Sequence, residues 1–469
     1  MGEERGMRPI REVLDAQSVV VIGASRDREK PGAQLLKVLR DVGFQGRIAG
    51  VNPQGGEVFG MPLYQSMQDV PFSVDLAVLL IPPRFVPDAL KDCARKGVKG
   101  VVISAEGFAE TGVEGATYQE DVRAILKSSG MRGFGPNTLG LVNTKTKLTT
   151  SYFANTGMLT PGSIGFAAQS GIFVGALLRY LSSLNGLHLS KGIGLGNKVD
   201  VNESDALSYL AQDEQTKIIG LYLEDVKDGR LFLESLKAAV AKKPVLLIKS
   251  GRTQDGAKAS ASHTASMAVE DAVFDGVVRQ SGAIRLYAID EFVRTLKGFL
   301  NMPLPGGDRL AYVTYSGAQA IMSIDTTIEL GLKVARLAQA TQARIARVIA
   351  TASKTKNPID IFPDWLTHGY EATTSEIIKA LLDDDGVDGI IFISFADANP
   401  ESYQPMLDIV KADQRKPVFV SLLGDGKDKE ACERFLDAGG LPCYDFPEQA
   451  VHVFARMRQY ARFRERSED

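Results

Sequence analysis

The sequence predicts an α/β protein made of three units, each a doubly wound, mostly parallel sheet with helices. Short apolar runs that end at Gly, Pro or Asn alternate with longer segments of helical periodicity, and this alternation is typical of parallel strands joined by crossover helices. The 469 residues are enough for about three domains of ~150 residues each. Two later stretches of the chain also resemble each other, which indicates that one unit occurs twice.

Four apolar runs define the first unit. The predicted strands with their following turns are 18–25, 47–53, 76–81 and 100–104. Loops at the carboxyl ends of such strands form the ligand crevice of open α/β sheets. The first turn, Gly23-Ala24-Ser25-Arg26, is able to accept an anion, but it lacks the Gly-x-Gly-x-x-Gly pattern of dinucleotide-binding proteins. Arg26 either contacts a phosphate there or faces solvent.

The second and third units share a repeated pattern. The matched segments are 163–171 with 309–317, 218–224 with 387–393, and 242–246 with 415–419. Both copies read as a strand, a Ser-Gly turn and a helix, followed later by a Lys-Pro step into another strand. The Pro- and Gly-rich segment 302–307 is the predicted linker between the copies.

Composition excludes several classes of function. Net charge is −3, from 57 acidic and 54 basic residues, so nothing indicates a nucleic-acid binder. The three cysteines, Cys93, Cys432 and Cys443, form neither a metal pattern nor a disulfide framework, which favours a reducing compartment. Apolar runs are too short to span a bilayer, and the N-terminus lacks a signal-peptide apolar region. We expect a cytoplasmic protein with no membrane contact and no metal site of its own.

His263 lies in the most informative stretch of the chain. It is one of four histidines, and it follows the predicted strand 244–248 in a stretch rich in Gly, Ala and Ser. Small residues allow other groups to approach a ring closely. The alternative interpretation is a loop or buried histidine that only satisfies a hydrogen bond.

Two further features fit a phosphoryl-transfer site. The turn Gln169-Ser170-Gly171 opens a helix directly after a strand; such a helix end binds anions, although serine is also simply a good N-cap. Glu224 ends a predicted strand, where a carboxylate either orients an imidazole or remains a surface acid. Together the three features fit one chemistry, in which the imidazole attacks phosphorus, the helix end holds the oxygens and the carboxylate orients the ring.

An ordered set of motifs extends this interpretation over residues 18–361. The motifs are 21–25, 51–53, 107–110, 135–137 with Asn143, 169–171, 196–197 before Asp200 and Asp205, Glu224 with 227–230, 250–264, and 356–360. In this order they resemble the α subunit, or α-like part, of the nucleoside-diphosphate-forming acyl-CoA synthetases, relatives of succinyl-CoA synthetase. The chain departs from that pattern at Ala265 and Val269, where family members usually have glycine.

The resemblance implies a CoA-binding Rossmann-like domain at 1–145, a flavodoxin-like ligase domain with a phosphohistidine loop at 146–302, and a second flavodoxin-like ligase domain at 303–469. It makes His263 the phosphorylated residue, supported by Glu224. Residues expected to bind phosphate are Gln169, Ser170 and Gly171. Residues expected to bind CoA are Gly23, Ala24, Ser25, Arg26, Asn52, Pro53, Pro82, Ser104 and Glu106. Residues expected to bind the substrate are Gly135, Pro136 and Asn137.

The implied reaction is ligation of a small carboxylic acid to CoA, with a nucleoside triphosphate converted to its diphosphate and phosphate. No ATP-grasp nucleotide site is evident in the sequence, so we expect a separate ATP-grasp β subunit that holds ATP or ADP with Mg, in an α2β2 assembly. Two alternatives remain open. One is a CoA-binding regulatory or catalytically diverged relative, and the other, suggested only by the Rossmann-like start, is a nicotinamide-dependent oxidoreductase.

Overall fold

The computed structural model describes residues 9–184, 186–264 and 270–468. They form three mixed or parallel sheets connected by helices, which confirms the predicted α/β class. The chain divides into two compact units, Met1–Tyr287 with the first two sheets and Ala288–Asp469 with the third. Among the described residues, no helix combines the length and the apolar character that crossing a bilayer requires. The domain boundaries at residues 145 and 302 stay a prediction.

The first sheet has seven strands. They are β1 (Ser18–Ile22), β2 (Arg47–Val51), β3 (Gly56–Val58), β4 (Met61–Tyr64), β5 (Leu76–Leu79), β6 (Gly100–Ile103) and β7 (Arg132–Phe134). Their order is β3-β4-β2-β1-β5-β6-β7, and all neighbours are parallel except β3 and β4. The helices are α1 (Arg11–Leu14), α2 (Pro31–Asp41), α3 (Val86–Lys96) and α4 (Val113–Ser129). Every residue of β1 is buried, as expected for a central parallel strand covered on both faces.

The second sheet also has seven strands. They are β8 (Leu141–Asn143), β9 (Leu148–Thr149), β10 (Ile164–Ala168), β11 (Leu189–Gly194), β12 (Ile218–Leu223), β13 (Val245–Lys249) and β14 (Ile284–Leu286). Their order is β14-β13-β12-β10-β11-β8-β9, with only β8 and β9 antiparallel to their neighbours. The helices are α5 (Gly171–Ser182), α6 (Glu203–Gln212), α7 (Gly229–Val240), α8 (Gln254–Thr264) and α9 (Asp271–Ser281).

The third sheet is parallel throughout. After α10 (Ile289–Asn301), its strands are β15 (Arg309–Thr314), β16 (Lys333–Val334), β17 (Ile359–Asp360), β18 (Gly389–Phe395), β19 (Val418–Leu423) and β20 (Cys443–Tyr444). Their order is β16-β15-β18-β19-β20, and β17 also pairs with β15. The helices are α11 (Gly317–Glu329), α12 (Gln339–Ile345), α13 (Trp365–His368), α14 (Tyr370–Leu382), α15 (Gln404–Ala412), α16 (Gly426–Ala438) and α17 (Pro447–Glu468).

The strand registers correct one part of the predicted repeat. Ala168 of β10 lies opposite Tyr222 of β12, and Thr314 of β15 lies opposite Ile393 of β18. Segment 218–224 therefore corresponds to 389–395, and the sequence alignment with 387–393 was wrong by two residues. A shift of two keeps every side chain on the same face of a strand, because side chains alternate with period two. The hydrophobic pattern alone does not detect such an error.

Candidate active site

A cavity of about 640 Å³ opens at the carboxyl ends of β1, β2, β5 and β6. Eight of the residues predicted to bind CoA or substrate line it, namely Gly23, Ala24, Ser25, Asn52, Pro82, Ser104, Glu106 and Asn137. Their strands are adjacent in the sheet, so turns that are far apart in sequence meet at one edge.

Two glycines bring the start of α2 against the turn that follows β1. A Cβ on Gly23, where φ is +90°, would lie 2.4 Å from the carbonyl oxygen of Leu80. A Cβ on Gly32, in the first turn of α2, would lie 2.3 Å from the carbonyl oxygen of Gly23. Lys30, Pro31 and Gly32 consequently line the cavity. The first N–H groups of a helix have no partner within the helix, so this end of the cavity is suited to a phosphate group.

Four predicted residues do not line the cavity. Arg26 instead holds the turn after β2, since its Nε donates to Gly55 O at 2.9 Å and its Nη2 to Gln54 O at 2.6 Å. Pro53 is exposed beside Asn52. Gly135 and Pro136 are buried, and their carbonyl oxygens accept the N–H groups of Val199 and Asn197. Of the Gly135-Pro136-Asn137 motif, only Asn137 reaches the cavity.

Sequence reasoning missed the aromatic wall of the cavity. Tyr152 and Phe153 line it, with ring centroids 4.3 Å apart and planes inclined at 45°. Phe153 is 65 % exposed, and burial, together with the charge of Glu106, raises the pKa of Tyr152. The available signal was two adjacent aromatic residues in a polar segment outside any predicted strand.

Glu224 lies at the end of β12 and is only 5 % exposed. The surface-acid interpretation is therefore wrong for this residue. The side chain of Gln169 fixes the chain at this point, because its Oε1 accepts the N–H groups of Glu224 at 2.9 Å and Asp225 at 3.0 Å. Its Nε2 donates to Asp225 Oδ1 at 2.5 Å. The Gln169 amide thus supports the Glu224 backbone.

Tyr222 connects Glu224 with the segment that leads to His263. Burial raises the pKa of Tyr222; the Ser250 hydroxyl acts in the opposite direction and the Glu224 carboxylate adds to the rise. Ser250 follows β13 directly, and its N–H donates to Leu223 O at 3.0 Å. Glu224, Tyr222 and Ser250 therefore form one cluster at the carboxyl ends of β12 and β13.

Lys249, at the end of β13, was not singled out in the sequence. Its side chain is buried, its Nζ donates to Ser250 O at 3.0 Å, and it lies 5.7 Å from the ring centroid of Phe274. Burial lowers the pKa of Lys249. The residue fixes the start of the segment that leads into α8.

The backbone of His263 lies in the last turn of α8. Its side chain lies outside the described part of the structure, as do residues 265–269 with Ala265 and Val269. Helix α8 contacts the short helix Ala109–Thr111, which follows β6 of the first sheet. The helix that carries His263 therefore approaches the loop region beside the cavity. Ser170 is the N-cap residue of α5, and its side chain makes no capping hydrogen bond.

Two family models match the parts of the chain that form most of the first and second sheets. Residues 17–144 match a CoA binding domain, and residues 161–299 match a succinyl-CoA ligase like flavodoxin domain. The chain is 37 % identical to an ADP-forming acetate–CoA ligase II of Archaeoglobus fulgidus, over 97 % of this chain and 67 % of that one.

The chain is also 35 % identical to the α subunit of an ADP-forming acetate–CoA ligase II of Pyrococcus furiosus, over 95 % of this chain and 97 % of the subunit. The structure matches the dinucleotide forming acetyl-coenzyme A synthetase 1 of Ca. Korarchaeum cryptofilum, solved with phosphate and ADP, with a TM-score of 0.90 at 29 % identity over 98 % of both chains. These likenesses cover all three sheets. The chain belongs to the ADP-forming acetate–CoA ligase family of the succinyl-CoA synthetase-like superfamily, and it corresponds to the α subunit of that family.

Proposed function

We propose that this chain is the α subunit of an ADP-forming acyl-CoA ligase that uses His263 as a phosphoryl carrier. The observation that carries the proposal is the arrangement of the compact unit Met1–Tyr287, which contains the first two sheets. A cavity with a helix N-terminus at one end lies at the edge of the first sheet, and the helix bearing His263 contacts the loop region beside that cavity. The buried Glu224 cluster lies at the carboxyl ends of the second sheet.

The cavity is the proposed CoA site. The first turn of α2 and Lys30 supply N–H groups and a positive charge for a phosphate of CoA. Asn52 stabilises the same wall, because its Nδ2 donates to Ala24 O at 2.7 Å while its Oδ1 accepts the N–H of Gln54 at 2.9 Å. Ser104 and Glu106, after β6, extend the site.

The proposed chemistry has three balanced steps. The imidazole of His263 attacks the γ-phosphorus of ATP, and ADP leaves. The carboxylate of the acid then attacks the phosphohistidine, which gives an acyl phosphate and restores the imidazole. Finally the CoA sulfur attacks the acyl carbon, its thiol proton is lost, and phosphate leaves. A neutral imidazole is nucleophilic near pH 7, and a nearby carboxylate favours its charged form as phosphate transfers.

We propose a role for each residue in this scheme. Glu224 is the proposed group that orients the His263 ring and stabilises its positive charge. Ser170 and the first N–H groups of α5 are the proposed holders of the phosphoryl oxygens. The Gln169 side chain already serves the backbone of Glu224 and Asp225, so its proposed role moves from binding phosphate to supporting Glu224.

The nucleotide site belongs, in this proposal, to a separate ATP-grasp β subunit that binds ATP or ADP with Mg. The similarity to a chain named as an α subunit supports a partner subunit. We propose an α2β2 assembly in the cytoplasm, acting on a small carboxylic acid.

Reconstitution tests the proposal. The full chain alone should bind CoA in a calorimeter and should form no thioester from acetate, CoA and ATP. Addition of an ATP-grasp β subunit should produce acetyl-CoA and ADP in equal amounts. Thioester formation by the chain alone, or absence of CoA binding, would contradict the assignment.

A further inference from the structure

We propose that Lys198 is a positioning residue for Glu224, an inference that rests on the proposed function. Lys198 lies in the loop between β11 and α6. It is joined to the Glu224 backbone by a continuous set of buried polar contacts, although it is separated from Glu224 by 26 positions in the chain. No part of its side chain is exposed.

The Lys198 ammonium group has three oxygen partners. Nζ lies 2.9 Å from Glu203 Oε2 and 2.6 Å from Asp225 Oδ1, and it donates to Asp225 O at 2.9 Å. The side chains of Glu203 and Asp225 are themselves buried. Lys198 also has a φ of +55°, a left-handed conformation that costs energy for a residue with a long side chain. The surrounding contacts hold this backbone in place.

The contact set continues from Asp225 to Glu224. Asp225 Oδ1 accepts a hydrogen bond from Gln169 Nε2, and Gln169 Oε1 accepts the N–H groups of Glu224 and Asp225. The positive charge on Lys198 favours the ionised form of Asp225, which accepts the hydrogen bond from Gln169. Burial by itself raises the pKa of Asp225, but Lys198, with help from Lys227, holds that pKa below its usual value.

Charge balance explains why a lysine is needed. Glu203 and Asp225 are two buried carboxylates, and removal of one partner of a buried ion pair leaves an uncompensated charge. Lys227 partly compensates the charge of Asp225, since its Nζ is 3.2 Å from Asp225 Oδ2, and its backbone N–H donates a hydrogen bond to Glu203 Oε1. Of these two lysines, only Lys198 places its Nζ against both carboxylates and the Asp225 carbonyl oxygen. Loss of Lys198 would free the Asp225 segment to shift, and Glu224 precedes it directly.

The neighbouring residue fixes the same loop from the other side. Asn197 Nδ2 donates to Glu110 Oε2 at 2.6 Å and to Gln119 Oε1 at 2.9 Å. Glu110 Oε1 in turn accepts the N–H groups of Gly107 and Phe108, which follow the cavity residue Glu106. Because these contacts do not involve the Lys198 side chain, a Lys198 substitution should leave the CoA site intact.

The test compares two buried lysines, one in the loop after β11 and one in β11 itself. Lys198→Met removes the proposed positioning group. Lys191→Met is the matched control, since the Lys191 side chain in β11 is also buried, with Nζ 3.3 Å from Asp213 Oδ1 and donating to Gln215 Oε1 at 2.8 Å. A third variant, Lys198→Met with Glu203→Gln, removes one positive and one negative group, so it guards against misfolding from unbalanced charge.

Each full chain is assembled with an ATP-grasp β subunit, and two quantities are measured: the single-turnover rate of phosphohistidine formation from labelled ATP, and the Kd for CoA. We expect both Lys198 variants to be about 10- to 100-fold slower than the parent protein, as when an outer group that orients a functional residue is lost, with an unchanged Kd for CoA. Lys191→Met should lower thermal stability and keep the parent rate.

A parent rate in folded Lys198 variants would overturn the inference, and so would equal slowing in Lys191→Met, because it would show a general effect of a buried ion pair. A parent protein that never acquires label would instead overturn the proposed function, and the positioning role would fall with it. The two failures are therefore distinguishable.

Discussion

The second and third sheets share one architecture and differ where their strands end. Their common order is β14-β13-β12-β10 in one and β20-β19-β18-β15 in the other. In each sheet, a Lys-Pro pair precedes a strand. The lysine side chain donates hydrogen bonds to carbonyl oxygens at the C-terminus of an earlier helix. Lys243 Nζ donates to Leu210 O and Asp213 O, and Lys416 Nζ donates to Leu381 O and Asp384 O. The two sheets are thus equivalent at this lysine near their amino ends.

At the carboxyl ends, four buried polar residues of the second sheet have apolar or aromatic counterparts in the third, whereas the Ser170-Gly171 turn has the equivalent Ser316-Gly317. By strand register, Gln169 corresponds to Tyr315, Glu224 to Phe395, Asp225 to Ala396 and Lys249 to Leu422. In the third sheet Tyr315 packs against Phe395, with ring centroids 6.3 Å apart. In the proposed function, the repeated fold supplies the scaffold, and these strand-end residues make the second sheet the copy suited to phosphoryl transfer.

We expect the largest effect from substituting Glu224, and none from substituting its counterpart Phe395 in the third sheet. Glu224→Gln keeps the shape and removes the negative charge, so the rate of phosphohistidine formation should fall about 100- to 1,000-fold, the range for loss of one well-placed electrostatic group. Phe395→Leu should leave that rate unchanged. Single-turnover labelling in the presence of the β subunit measures both. Equal slowing in the two variants would remove the distinction between the sheets.

A second substitution separates phosphoryl transfer from CoA binding. Gly32→Ala would place a Cβ 2.3 Å from Gly23 O, which forces α2 away from the turn after β1. We expect the affinity for CoA to fall about tenfold or more, equivalent to ~1.4 kcal/mol, while ATP-dependent labelling continues. Gly276→Ala in α9 is the control, since its Cβ would meet no atom within 4 Å. Calorimetry with CoA gives the result, and unchanged affinity in Gly32→Ala would contradict the proposed site.

The shared lysines should affect stability alone. Lys243→Met and Lys416→Met each remove hydrogen bonds to two carbonyl oxygens at a helix end, so each should lower the free energy of unfolding by about 1–3 kcal/mol. Chemical denaturation, followed separately for the two compact units, measures the loss. An effect on phosphohistidine formation in the folded Lys243 variant would contradict the division between amino and carboxyl ends.

The smallest expected effect is a pH dependence at Asp225. The pKa of Asp225 in the folded chain lies below its ordinary value of 3.8. At a pH between these two pKa values, Asp225 is therefore more protonated in the unfolded chain than in the folded chain. The resulting stabilisation is fully present above about pH 5, declines as the pH falls past the ordinary pKa, and is lost once the pH falls through the folded pKa. Asp225→Asn should therefore show a shallower loss of stability than the parent protein below pH 4. Ala396, its counterpart, offers no titrating group. Identical acid profiles would contradict this linkage.

Local strand and turn patterns predicted the fold class and the strand-end turns, internal similarity predicted the repeat, and the resemblance to a known family assigned those turns to CoA. The sequence did not predict the contacts that hold Glu224 in place. Lys198 and Asp225 are 27 positions apart, and Gln169 and Asp225 are 56 apart, so no periodicity relates them. Arg26 has the positive charge expected of a phosphate ligand, but its guanidinium group donates hydrogen bonds to two backbone carbonyl oxygens of a neighbouring turn. Tyr152 and Phe153 were missed because they lie outside any strand or glycine-rich turn.

In the proposed function, His263 carries the phosphoryl group at the second sheet. The most direct measurement is to incubate the full chain and its ATP-grasp β subunit with ATP, and to locate the phosphate by mass spectrometry under conditions that preserve phosphohistidine. We expect acid-labile phosphate on His263, and none on the chain in His263→Ala. Phosphate on another residue of this chain, or equal labelling of His263→Ala, would contradict it.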